Sequence, residues 1–284
     1  MLKATGTYLA KAAVVSGLAL AGALSGPAQA SDKLDELRAA GTAKIAIANE
    51  PPYSSIDGEG NIGGAAPDVA RAVLNELGIQ NVEAVVVDYG AMIPGLLAGR
   101  FDMVAAGLYI KPERCQAVVF SEPDVCDAEA FAVKAGNPKG LNNYADLAGA
   151  GAVVGVCGGC AEERYALDAG VPQSNIVVIP DAPSGISMLQ NGRIDALALA
   201  GLVIVDLVTK ADDDGIDVVY PVADAPQSCA GAAFHPDNKD FRNEYDQALA
   251  KLKYSGEFAK IVDAYGFSTR TALAKTRADY CPGN

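Results

Sequence analysis

Short apolar runs alternate along this chain with amphipathic helix patterns, and no other feature restricts its fold so strongly. The runs predict strands at Lys44–Ala48, Val82–Val87, Asp102–Ala106, Ala152–Val156, Ile176–Ile179, Asp195–Leu199 and Asp217–Tyr220. Helix patterns lie between them. In Pro67–Leu77 the proline suits a first turn, Val69, Val73, Leu74 and Leu77 share one face, and Gly78 stops the run. Such alternation gives mainly parallel sheets covered by helices, so the fold class is α/β. Two extended stretches, Glu129–Val133 and Ala230–Phe234, lack a helix directly after them. Read as crossovers, they divide the chain into two lobes: residues 31–130 with 231–284, and residues 131–230. A cleft between two α/β lobes is a usual place for a small ligand.

The first thirty residues read as an address. Lys3 and Lys11 precede the apolar run Ala12–Leu24, and Pro27 leads into Ala28-Gln29-Ala30. This pattern predicts a signal peptide over residues 1–30, cut after Ala30, and export of the mature chain. No cysteine follows the cut to carry a lipid anchor. No later segment approaches 18 uninterrupted apolar residues, the length that would span a bilayer. Against 22 Lys and Arg stand 35 Asp and Glu, a net charge of −13 with no basic stretch, which argues against nucleic acid as a partner. Six cysteines in an exported chain read as disulfides. Their pairing stays open, although Cys157 and Cys160 can close locally and Cys281 can reach a lobe-1 or hinge cysteine.

Several motifs resolve to ordinary structure. Gly58-Glu59-Gly60-Asn61-Ile62-Gly63 matches a dinucleotide fingerprint, but no strand runs straight into Gly58, so it reads as a hairpin turn. Asp212-Asp213-Asp214 fails as a calcium loop because Lys210 and Pro221 fall at ligand positions. His235 is the lone histidine, which leaves little for a histidine metal site or a catalytic triad; it reads as an exposed loop residue. No cofactor site is expected. Cys157-Gly158-Gly159-Cys160 follows a strand and precedes a helix pattern, where backbone amides of Gly159, Cys160 and Ala161 can cradle a carboxylate. The same pair keeps a thiol oxidoreductase open as a rival reading.

Ala106-Gly107-Leu108-Tyr109-Ile110-Lys111-Pro112-Glu113-Arg114, then Phe120-Ser121-Glu122-Pro123, resembles the family 3 extracellular solute-binding proteins. Pro52-Tyr53, Gly64, Gly99-Arg100-Phe101-Asp102, Gly155 through Cys160 and Gly192-Arg193-Ile194-Asp195-Ala196 follow in the family's order. The resemblance implies a two-lobed type II periplasmic-binding fold, no catalysis, a monomer, and delivery of a small ligand to an ABC permease in the inner membrane. It also implies that Arg114 holds the ligand's carboxylate, with Gly107 beside it and the turn at Gly159 and Cys160 completing the clamp.

Two departures bear on the ligand. A position that is Thr in many amino-acid receptors is Lys111, and the acid that grips an α-ammonium would fall at Ala200. An unpaired ammonium costs about 2–5 kcal/mol when buried, which disfavours an ordinary amino acid. Tyr53, Tyr89 and Tyr109 each sit in a loop after a lobe-1 strand, where their rings can face a delocalised cation, and Glu50 can add one charged hydrogen bond. This set resembles the ectoine/hydroxyectoine-binding branch. Arginine, another polar or cationic amino acid, or a betaine are the alternatives within the family.

Overall fold

The computed structural model describes residues 1–3 and 33–282, so the expected signal peptide and its cut after Ala30 lie largely outside the described residues. In chain order the strands are β1 (Thr42–Ile47), β2 (Ser55–Ile56), β3 (Ile62–Gly63), β4 (Asn81–Val86), β5 (Met103–Val104), β6 (Val119–Phe120) and β7 (Val125–Asp127). There follow β8 (Glu129–Lys134), β9 (Val154–Cys157), β10 (Ile176–Ile179), β11 (Ala196–Ala200), β12 (Ile216–Val219), β13 (Ser228–Ala230) and β14 (Ala233–Phe234).

They build two five-stranded sheets, β4-β1-β5-β14-β6 and β10-β9-β11-β8-β12. In the first, β4 and β5 run parallel to β1, while β14 is antiparallel to β5 and β6. In the second, β9 is parallel to β10 and β11, and β8 is antiparallel to β11 and β12. Each lobe is thus a parallel core with an antiparallel flank. That flank is where the chain enters or leaves the lobe.

The crossings differ from the expectation. Glu129–Val133 is the inner part of β8, buried in the lobe-2 sheet. Ala230–Phe234 is two strands, broken at Gly231-Ala232. The lobes are joined by β7 and β13, which pair antiparallel with Cys126 opposite Cys229. An alternating apolar run fits a sheet strand and a crossover equally well; only its pairing partner decides between them. Cys126 and Cys229 are bonded, as are Cys115 with Cys281 and Cys157 with Cys160. The hairpin β2–β3 takes up the glycine motif as expected.

Helices cover both sheets. The helix Ala65–Glu76 buries Val69, Ala70, Val73 and Leu74 against lobe 1 and starts two residues before Pro67. Pro67 therefore sits in the first turn, where its missing N–H costs no hydrogen bond. Phe131, Val133, Tyr144, Leu147, Val154 and Val156 form the lobe-2 core. The C-terminal helices Lys239–Ser255 and Glu257–Ala264 return to lobe 1, burying Phe241, Tyr245 and Phe258. No described helix is long and apolar enough to cross a membrane.

Candidate functional site

Strand ends of both lobes converge on one narrow pocket of about 20 Å³. Glu50, Tyr53, Tyr89, Gly107, Tyr109 and Arg114 line it from lobe 1. Tyr53 follows Pro51-Pro52, and its ring lies against the backbone of Gly107. A Cβ at Gly107, which stands at φ +79°, would come within 2.2 Å of that ring, so glycine is required there. Tyr53 donates to an Asp127 oxygen at 2.9 Å and its hydroxyl meets that of Tyr109 at 3.0 Å. Tyr89 opens the helix Tyr89–Leu97 rather than sitting in a loop, and its hydroxyl donates to the Ala106 carbonyl at 3.0 Å. The three rings do meet at one cleft, but their hydroxyls are spent on protein. What they offer a ligand is ring surface.

Arg114 lies in a short turn of helix, Pro112–Cys115, with Pro112 at its start. Nη1 donates to the Tyr109 carbonyl at 2.9 Å and Nη2 crosses to the Gly159 carbonyl of lobe 2 at 3.1 Å. Among the described residues, Arg114 forms no ion pair with Glu113 or Glu122; Glu122 pairs with Arg277 instead. Two of its five N–H donors are engaged, so the fork retains donors for an anion. Burial lowers its pKa, with no effect on charge in the working range.

Cys157, Cys160, Ala161 and Glu162 form the lobe-2 wall, with Leu199 and Ala200 behind. Gly159 does not line the pocket. At φ +78° it turns its carbonyl to Arg114, and its amide donates to Glu163 at 3.2 Å. The Cys160 amide donates to the Cys157 carbonyl at 3.3 Å. The expected amide cradle at Gly159 and Cys160 is therefore already satisfied within the turn. Gly159 instead marks where the lobes touch: a Cβ on it would stand 2.7 Å from Gly90 Cα.

The sequence profile of the bacterial extracellular solute-binding proteins, family 3, matches residues 43–268. The chain belongs to that family. A probable amino-acid ABC transporter periplasmic-binding protein of Sinorhizobium fredii is 37% identical over 257 residues, 87% of this chain and 85% of the relative. The ABC transporter arginine-binding protein 1 of Escherichia coli is 28% identical over 223 residues, 77% of this chain and 87% of that protein. The crystal structure of EhuB in complex with hydroxyectoine has a TM-score of 0.87 and 52% identity, covering 89% of this chain and 99% of EhuB.

This solute-binding protein carries charge in its cleft that sequence reasoning missed. Glu162, second residue of the helix Ala161–Asp168, is buried and lines the pocket. Its carboxyl faces that of Glu129, which is fully buried on β8. Burial, then the charge of Glu162, pushes the Glu50 carboxyl up to about 8. Lys111 donates to Ser228 Oγ at 2.7 Å and to the Tyr165 hydroxyl, its ammonium 4.9 Å from the centre of the Tyr165 ring. It thereby joins lobe 1 to the hinge and to lobe 2. Asp127, at the end of β7, accepts from Tyr53 of lobe 1 and from Tyr220 and the Leu202 amide of lobe 2. The missed signal was helical spacing, because Glu162 lies one turn before Tyr165 on the helix that the Cys160 turn begins. Nothing in the local sequence marks Glu129 or Asp127 as more than strand residues.

Proposed function

We propose that this protein is a periplasmic receptor that captures ectoine or hydroxyectoine, a zwitterion with a ring amidinium and a carboxylate, for an ABC importer. The observation that carries this is one pocket that sets the Arg114 fork beside the rings of Tyr53, Tyr89 and Tyr109, with Ala200 where a grip for an α-ammonium would stand. The 52% identity to EhuB in its hydroxyectoine complex supports the same ligand. Arg114 takes the carboxylate in two parallel hydrogen bonds. The tyrosine faces and Glu50 take the amidinium, each ring contact worth roughly 0.5–2 kcal/mol. A ligand touching both lobes favours the closed form by its differential affinity, and a membrane permease reads that form.

On this reading residues 1–30 are removed after Ala30, the lobes are residues 31–130 with 231–284 and residues 131–230, and the protein acts as a monomer without catalysis. The test is calorimetry and thermal shift against ectoine, hydroxyectoine, glycine betaine and arginine, with Arg114→Ala beside wild type. Binding confined to the ectoines, lost by at least ~100-fold in Arg114→Ala, is the expected result. Binding of arginine with ectoines inert would overturn the ligand and restore the cationic amino-acid alternative. Thiol-dependent insulin reduction that disappears in Cys157→Ser would favour the oxidoreductase.

A further inference from the structure

Lobe 2 lacks an acid at Ala200, yet it places two acids beside that point. Ala200 on β11 pairs directly with Glu129 on β8, so Glu129 occupies the neighbouring rung of the sheet. Glu162 reaches the same spot from its helix, with a carboxylate oxygen within 4.8 Å of both sulfurs of the Cys157–Cys160 bridge. Glu129 is fully buried, and neither of its oxygens accepts a hydrogen bond from any N–H or hydroxyl among the described residues. Its near polar neighbour is the Glu162 carboxyl. Two carboxylates cannot donate to each other, so this contact is a hydrogen bond only with one proton between them.

We infer that Glu129 and Glu162 share one proton and together form the seat for the ligand's cation in lobe 2, so that capture of a cation expels that proton to solvent. This rests on the ligand class proposed above and adds which residues recognise its charge. The surroundings fit. Lys111 and Arg114 face the pair from lobe 1, Asp127 from the hinge and Glu50 from across the pocket, while Tyr109, Tyr144 and Tyr165 border it. Burial raises both carboxyls, and each is held partly down by Lys111. A cation entering at Glu162 takes the place of the shared proton: positive charge in, one proton out, the net charge of the seat unchanged.

The experiment is calorimetry with hydroxyectoine, and with arginine as a second cation, at pH 6–8 in buffers of differing ionisation enthalpy, which counts protons exchanged. Wild type, Glu162→Gln, Glu129→Gln and Glu50→Gln are compared. Proton release on binding is expected, with affinity rising toward tenfold per pH unit while the pair stays protonated. Glu162→Gln should lose the pair's share of that release and bind about 30-fold more weakly or worse. Glu50→Gln should lose only its own share. Hydroxyectoine binding with no proton released, or with release that vanishes in Glu50→Gln alone, overturns the inference and leaves the ligand standing. Arginine binding with proton release while hydroxyectoine fails overturns the ligand and keeps the seat. If no probe binds, carboxyl-carbon NMR of unliganded wild type decides. Glu129 and Glu162 titrating as one coupled pair above the usual carboxylate range supports the seat, and two independent titrations near 4.5 refute it.

Discussion

Asp127→Asn is the change whose cost the structure fixes most tightly. Oδ1 accepts from the Tyr220 hydroxyl and the Ala128 amide, each at 2.8 Å. Oδ2 accepts from the Tyr53 hydroxyl at 2.9 Å and the Leu202 amide at 2.8 Å. An asparagine must put its NH₂ at one of these two places. A tyrosine hydroxyl can turn and accept from it, but a backbone N–H cannot. Either orientation therefore sets N–H against N–H, at Ala128 or at Leu202, in a buried corner. Losing one charge-assisted bond and stranding one amide costs about 2–4 kcal/mol. Asp127→Ala strands both backbone amides and should cost more. Urea unfolding at constant slope reads both. An Asn variant within 1 kcal/mol of wild type, or an Ala variant milder than Asn, would show that this carboxylate does not tie the lobes to the hinge.

Other outcomes follow from the same geometry. Glu50 stands at about 8 in the fold against an ordinary 4.5. The native state thus keeps a proton that the unfolded chain has lost, and ligand-free stability falls as pH rises between those values. Glu50→Gln should flatten that slope and be the more stable protein at pH 8; parallel curves for the two proteins would contradict it. Gly90→Val places a branched side chain where a Cβ already lies 3.4 Å from the Gly158 carbonyl, at a helical position without positive φ. It should wedge the lobes apart, weaken ligand binding about tenfold and enlarge the liganded particle in small-angle scattering, whereas unchanged affinity would refute closure at that contact. Removing the Cys115–Cys281 bridge, which closes a separation of 166 residues, should cost about 2–5 kcal/mol by denaturant unfolding, and no change would mean the tail is held by packing alone.

Much of this molecule is written locally in its sequence. Apolar runs of period two and helix faces of period 3.6 locate the central strands and the helix after Gly64, since those elements bury the same face all along their length. Tyr53 and Tyr109 are legible because they follow lobe-1 strands, where a doubly wound fold exposes side chains to a cleft, and Arg114 because the segment around it resembles that of the family. What escapes is pairing across the chain. Glu129 reads like any strand residue until β8 is laid against β11, and so does Asp127 until Tyr53 and Tyr220 arrive from opposite lobes. The Gly159 amide looks free in sequence and is consumed by Glu163, four residues on. Long-range partners set these roles, and a local pattern does not encode them.

The bond between Cys126 and Cys229 joins facing residues of the two crossing strands. Two separate connectors would let one lobe slide, shear or twist against the other. Riveted in register, the pair becomes a single axle: lengthwise slippage is gone, and what is left is a swing about the ribbon. The rivet forms only where thiols oxidise, outside the cytosol. Before that, three backbone-paired residues on each strand hold the crossings together. On the periplasmic role proposed above, this hinge is completed by the compartment in which the receptor works, and the chain before export is a looser machine than the same chain after it.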